Sequence, residues 1–210
     1  MSRQFRRVES VHAWCVLCLL QAICEFKPDV VISAGTAGGF RSCTANIGDV
    51  YLSVKCIFHS RRIPSGAIHY EEYGFGHFRS PPLAGLAFEC CLKMGVVSTS
   101  DSLDASPRDL ELLRGEGAAV KEMEAAAIAW VCEQLHVPFF ALKSITDIVD
   151  GSECVEEGDE ESAGNTQDQF YRNLAKASAN LQEKLVQVLR CLSGRTLQSW
   201  RNVHKDKSRI

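Results

Sequence analysis

Hydrophobic positions along the chain repeat with two alternating periods, which predicts alternating helices and strands. Val11–Phe26 is apolar at helical spacing and is stopped by Pro28. Asp29–Ala34 is a short run with β-branched residues that ends at glycines, the mark of a buried strand. Asp49–Phe58 alternates as a second strand. Leu83–Met94 reads as helix, Val96–Ser100 as strand, and Pro107–Arg114 as a helix with proline in its first turn. Ala118–Met123 as strand, Ala125–Leu135 as helix and Phe139–Ile145 as strand complete the series. The alternation predicts an α/β fold, a mainly parallel or mixed sheet covered by helices on both faces. Ligands in such sheets gather at the carboxyl ends of strands. A glycine turn at Gly35, the stretch Asp101–Asp104, Glu122–Glu124 and Asp147 all fall at such ends.

Beyond Asp150 the pattern changes. Glu153–Glu161 is acidic and Ser162–Gln169 is polar and small, so 152–169 reads as a mobile, solvated insert. Phe170–Leu192 returns to a helical period. The single domain thus runs over 1–194, and 195–210 is a basic tail expected to fray.

Composition narrows the class of partner. The 210 residues are 46% hydrophobic and 23% charged, as in ordinary globular proteins, and suffice for one domain with a substantial core. A net charge of −3 without a long basic face excludes nucleic acid as the expected partner. Ten cysteines could suggest disulfides or a metal. However, Cys15, Cys18, Cys24, Cys56, Cys90, Cys91 and Cys132 sit inside apolar patterns, where a thiol packs as a small hydrophobe. Cys15-x-x-Cys18 has no second Cys or His pair at zinc spacing. The expectation is free thiols, no metal, and a reducing, cytoplasmic location. Arg3, Arg6 and Arg7 ahead of an apolar run resemble a leader, but the run is too short to span a bilayer and leads into a core strand. No membrane partner is expected.

Three segments could carry chemistry. Glu124 follows a strand and opens a helix, where the helix dipole alone would favour a carboxylate. Met123 beside it adds an apolar surface that could floor a sugar. Asp147 ends a strand too apolar to hold a charge without reason, although an Asp can also cap a turn. Thr146 is placed to orient it, and Lys143 shares a strand face with Ile145 and Asp147. Thr36 lies in Gly35-Thr36-Ala37-Gly38-Gly39, whose backbone can approach a ligand closely.

In this order and spacing, Ser33–Phe40, Lys121–Glu124 and Ser144–Asp147 resemble the 5′-methylthioadenosine/S-adenosylhomocysteine nucleosidase family, most closely its plant-type branch, over roughly Val11–Gly151. The resemblance implies a three-layer α/β/α fold with a twisted mixed sheet, like that of nucleoside phosphorylases and hydrolases, with its first strands missing. It implies hydrolysis of 5′-methylthioadenosine, with S-adenosylhomocysteine as a further substrate, to adenine and a methylthioribose in methionine salvage. No cofactor is implied, and a homodimer is. Asp147 would donate a proton toward N7 of adenine, for which a raised pKa is required. Glu124 would bind the ribose hydroxyls, Met123 would pack against the nucleoside, and Lys121 and Glu122 would line the same wall. Thr36 would stand at the ribosyl–base junction and Leu103 beneath the base. His59 with Arg61-Arg62-Ile63-Pro64 matches a plant-branch signature at the dimer or pocket rim, or in a solvated loop. Phosphorylases of this fold hold phosphate with cations, including an arginine three residues before the hydroxyl residue of the glycine turn. Ser33 stands there, which favours water as the acceptor.

Family members begin with a strand whose glutamate activates that water. Nothing in Met1–Ser10 resembles it, and Glu9 does not match the motif. The expectation is a nucleosidase truncated at its N-terminus and impaired by about 10²- to 10⁴-fold, the usual cost of losing a general base. Two alternatives stand beside it: a non-catalytic paralogue that binds nucleoside or pairs with another subunit, and a purine nucleoside phosphorylase.

Overall fold

The computed structural model describes residues 11–60, 76–150 and 166–202. Met1–Ser10, Arg61–Pro64, Glu153–Glu161 and the end of the basic tail lie outside them.

The strands are β1 (Val31–Gly39), β2 (Val50–Phe58), β3 (Phe78–Arg79), β4 (Lys93–Thr99), β5 (Ala118–Glu122) and β6 (Phe139–Ile148). They lie in the order β3-β2-β4-β5-β1-β6, and β6 also pairs with the start of β2, so the sheet curls back on itself. β1–β6, β2–β4 and β4–β5 are parallel, whereas β1–β5, β2–β3 and β2–β6 are antiparallel. The sheet is therefore mixed.

Helices cover both faces. On one, α1 (Val11–Phe26) and α4 (Ala125–Gln134) place Ile23, Ala126, Ala129 and Cys132 against Val97, Ala141 and Ile145. On the other, α2 (Ala84–Glu89) and α5 (Thr166–Leu192) place Leu86 and Val188 against Leu52, Phe140 and Leu142. β6 feeds the two cores alternately and is buried along its whole length, which explains its near-continuous apolar run. Burying each such aliphatic side chain stabilises the fold by about 1.5–3 kcal/mol. α3 (Pro107–Gly115) starts with a reciprocal cap, Ser106 accepting from the Asp109 amide and Asp109 accepting from the Ser106 amide.

Several boundaries depart from the sequence reading. The glycine segment is not a turn: Gly35–Gly39 continues β1, parallel to β6. Its glycines serve close packing. A Cβ on Gly38 would lie 2.6 Å from Val149 and 2.8 Å from Asp147, and one on Gly39 would lie 2.7 Å from Ala45. The helix expected to reach Met94 stops at Glu89. Cys91 takes a left-handed φ of 50°, and the amides of Cys91 and Leu92 bond back to Phe88 and Ala87. α4 ends the same way at His136. Neither helix has the glycine that usually announces such an end.

α5 begins at Thr166, so Gln167–Gln169 are helical rather than part of the insert. The tail does not fray at Trp200, which is buried in the second core with the Arg195 guanidinium 5.0 Å over its ring. Cys18 and Cys24 are exposed, because α1 packs through the stripe carrying Val16, Leu19 and Ile23, and Cys91 is exposed in the turn after α2. His59, the residue after β2, is buried rather than solvated, with Nδ1 2.8 Å from Ser98 Oγ. Among the described residues no helix is long and apolar enough to cross a membrane.

Candidate active site

The carboxyl ends of β1 and β5 overlap for only two residues, Gly38 opposite Lys121 and Gly39 opposite Val120. β6 runs alongside β1 to the same point and bulges between Ile145 and Asp147. The bulge makes Thr146 the extra residue and swings Asp147 beside Gly38. Here lies a cavity of about 240 Å³ whose wall contains Thr36, Leu103, Lys121, Glu122, Met123, Glu124 and Asp147. All seven residues singled out from the sequence are thus brought together. Ala37, Gly38, Thr146, Val149 and Phe170 complete the wall. Leu103, Asp147, Val149 and Phe170 also border an adjoining cavity of about 460 Å³ lined by Gln167 and Tyr171.

The three acids on this wall have different tasks. Glu122 is locked inside the protein. Its carboxylate accepts from the amides of Glu124 and Ala125, from the Thr99 hydroxyl, and from Lys143 Nζ at 2.8 Å. It caps the start of α4 in place of Glu124, the residue at the N-cap position. Burial would raise its pKa, but Lys143 and these donors outweigh that and hold it below the usual carboxylate value. Glu124 is thereby released from capping, and its side chain is 36% exposed at the cavity. Burial and the neighbouring Glu122 charge raise its pKa, partly opposed by Lys143 at 3.6 Å.

Lys143 is buried between the two glutamates. Burial alone would lower its pKa, yet Glu122 and Glu124 hold it above the ordinary lysine value. Asp147 is pushed up by burial, against the opposing Thr146 hydrogen bond and Lys121 charge. A buried carboxyl with a raised pKa is suited to keep a proton and deliver it.

The sequence reading missed two anchors of Asp147's strand. Gln169 accepts from the Ile148 amide at 2.9 Å, and Asn173 donates to the Thr146 carbonyl at 3.0 Å. Both amides lie on the first turns of α5 and are buried. Buried amide residues within a helical period were the available signal. Phe170, between them on α5, is the aromatic member of the wall, and its helical period alone carries no sign of that place.

The phosphorylase superfamily model matches residues 10–190. A 5′-methylthioadenosine/S-adenosylhomocysteine nucleosidase of Arabidopsis thaliana is 40% identical over 176 residues, 84% of this chain. The match spans 64% of that relative, less than two thirds of its length. A nucleosidase of the same description from Geobacillus is 33% identical over 79% of this chain and 72% of its own. Among solved structures, the apo form of Arabidopsis thaliana 5′-methylthioadenosine nucleosidase superposes with a TM-score of 0.78 at 37% identity, covering 87% of this chain and 70% of the other.

Proposed function

Because the chain belongs to the phosphorylase superfamily and, within it, to the 5′-methylthioadenosine/S-adenosylhomocysteine nucleosidase family, we propose that it hydrolyses the N-glycosidic bond of 5′-methylthioadenosine. The products are adenine and a methylthioribose. The observation that carries the reading is one small cavity holding Asp147, a carboxyl whose pKa is raised by burial, beside a glutamate, Glu124, that makes no helix-capping bond.

In this reading Asp147 gives its proton toward N7, so the base departs neutral. Glu124 accepts hydrogen bonds from the ribose hydroxyls as the sugar takes on oxocarbenium character. Met123 floors the sugar, Leu103 frames the base and Thr36 stands at their junction. Two features support water over phosphate as the acceptor. Ser33, where a phosphate-holding arginine would stand, is buried. The two lysines at this end of the sheet are engaged, Lys143 by Glu122 and Glu124, Lys121 by the carbonyls of Ser102 and Leu103.

The test is adenine release from 5′-methylthioadenosine with and without inorganic phosphate. Release independent of phosphate is expected. Release that requires phosphate makes the protein a phosphorylase, and binding without release makes it a non-catalytic nucleoside-binding protein. S-adenosylhomocysteine in the same assay settles the second substrate. The same reading places the protein in cytoplasmic methionine salvage as a homodimer. Exposed Leu17, Leu20 and Trp130 on the packed helices α1 and α4 support a second copy at that side, which sedimentation velocity tests.

A further inference from the structure

Leu103 lines both cavities, yet its residue is 64% exposed and belongs to none of the apolar cores. Packing does not hold it where it is. The segment that carries it is tied at its two ends. At one end the Ser100 amide donates to the Glu122 carbonyl, and at the other Ser106 forms the reciprocal cap of α3. Between these ties, the ammonium of Lys121 reaches across from β5 and donates to the carbonyls of Ser102 at 2.7 Å and Leu103 at 2.9 Å. Lys121 itself is buried. Its partner on β1 is Gly38, so no side chain opposes it from that strand, and its partner on β4 is Ser98.

We infer that Lys121 is a positioning residue that fixes Leu103 over the site, contributing to ligand binding through that loop rather than by contact with the ligand. This rests on the nucleosidase reading for the identity of the ligand, but not for the loop itself. A buried ammonium that spends two donors on adjacent carbonyls is an expensive way to hold a loop unless the loop's position matters. Ser100 Oγ, a short side chain of the segment itself, already bonds the amide and carbonyl of Ser102 at 3.2 Å, and the Leu103 carbonyl is held by Lys121. The neighbouring charges are Asp147 on β6, Asp104 in the loop, Asp109 on α3 and Glu122 on β5, which oppose the lowering of the Lys121 pKa by burial.

Two measurements test the inference. The first needs no ligand: amide hydrogen exchange of residues 101–105 in the parent and in Lys121→Met, a change that keeps the length and removes the donors. Exchange about tenfold faster or more in the variant is expected, the scale of losing a charged hydrogen bond. Unchanged exchange overturns the inference. The second is a double-mutant cycle with Leu103→Ala, read as the dissociation constant for adenine by calorimetry. If Lys121 acts through Leu103, each single variant weakens binding and the double variant is no worse than the weaker single one. Additive losses overturn the inference. Under steady-state turnover Lys121→Met is expected to raise KM and spare kcat, because uniform binding is what is lost. Lys121→Leu, which also lacks donors, serves in every arm if the methionine variant does not fold. If the parent binds neither adenine nor 5′-methylthioadenosine, the nucleosidase reading fails, and the exchange measurement still decides the role of Lys121.

Discussion

Oγ1 of Thr146 lies 2.7 Å from Oδ1 of Asp147. One carboxyl oxygen is thereby engaged within the protein, and Oδ2 lies against the bare Cα of Gly38 at the cavity. The bulge that inserts Thr146 into β6 creates this arrangement, since a regular strand would turn Thr146 and Asp147 to opposite faces.

Asp147→Asn should abolish adenine release, by about 10²- to 10⁴-fold, while adenine analogues still bind. In the parent, the rate should fall as pH rises through the raised Asp147 value, because only the protonated carboxyl can donate. The stability sign follows from the same shift. The folded state holds this proton more tightly than the unfolded chain, so Asp147's contribution is fully present below the unfolded carboxylate pKa and is lost as pH rises through the folded value. The Asn variant should therefore melt no lower than the parent at neutral pH. Retained turnover in the variant would reduce Asp147 to a structural residue.

Glu124→Gln should weaken ribosides by about 1.5–3 kcal/mol, the scale for hydrogen bonds to a charged group. Free adenine should be little affected. Titration calorimetry with the nucleoside and the base separates the two, and equal losses would argue that Glu124 only shapes the start of α4.

Lys143→Met should be the most destabilising of these changes, by about 3–5 kcal/mol in urea denaturation, because it strands the buried Glu122 charge. Adding Glu122→Gln should recover part of the loss while keeping an acceptor for the α4 amides. The pH dependence carries a sign. Glu122 has a lowered pKa, so its contribution is present above the unfolded carboxylate range and is lost as pH falls through the folded value. Lys143 has a raised pKa, so its contribution is lost only as pH rises through the lysine range. The parent should show a plateau between these limits whose acid limb the methionine variant lacks.

Gly38→Ala should cost about 1–3 kcal/mol by overpacking. Its Cβ would stand 2.6 Å from Val149 and 2.8 Å from Asp147, so the acid must move. Activity should fall further than the melting temperature implies, which a comparison at a temperature where both proteins are folded would reveal.

Much of this was legible in the residues. The order of helices and strands and the mixed sheet covered on both faces follow from apolar period, Thr36, Met123, Glu124 and Asp147 stand out at strand ends, and the resemblance to the nucleosidase family adds Leu103, Lys121 and Glu122. What escaped were features set by partners distant in sequence. β1 continues through its glycines because β6 and Ala45 press against them, a contact no local signal encodes. α2 stops at a Cys in a left-handed conformation, where a glycine would have marked the end. The division of labour between Glu122 and Glu124 was hidden as well. Neighbouring acids two positions apart look alike until Lys143 and Thr99 claim one of them. Gln169 and Asn173 likewise acquire meaning only once α5 is seen against the edge of β6.

Only Met123 and Glu124 separate the last residue of β5 from the first of α4. A joint this short has no slack, since Glu122 on one side and the first amides of α4 on the other are already bonded to each other. Inserting or deleting one residue there would turn the helix by about 100° and break the register that sets Glu124 on the cavity wall. This stretch of the cavity wall is thus closed to variation in length. Leu103 and Phe170, carried on segments that enter from outside the sheet, are where a changed appetite for substrate can arise without dismantling the frame.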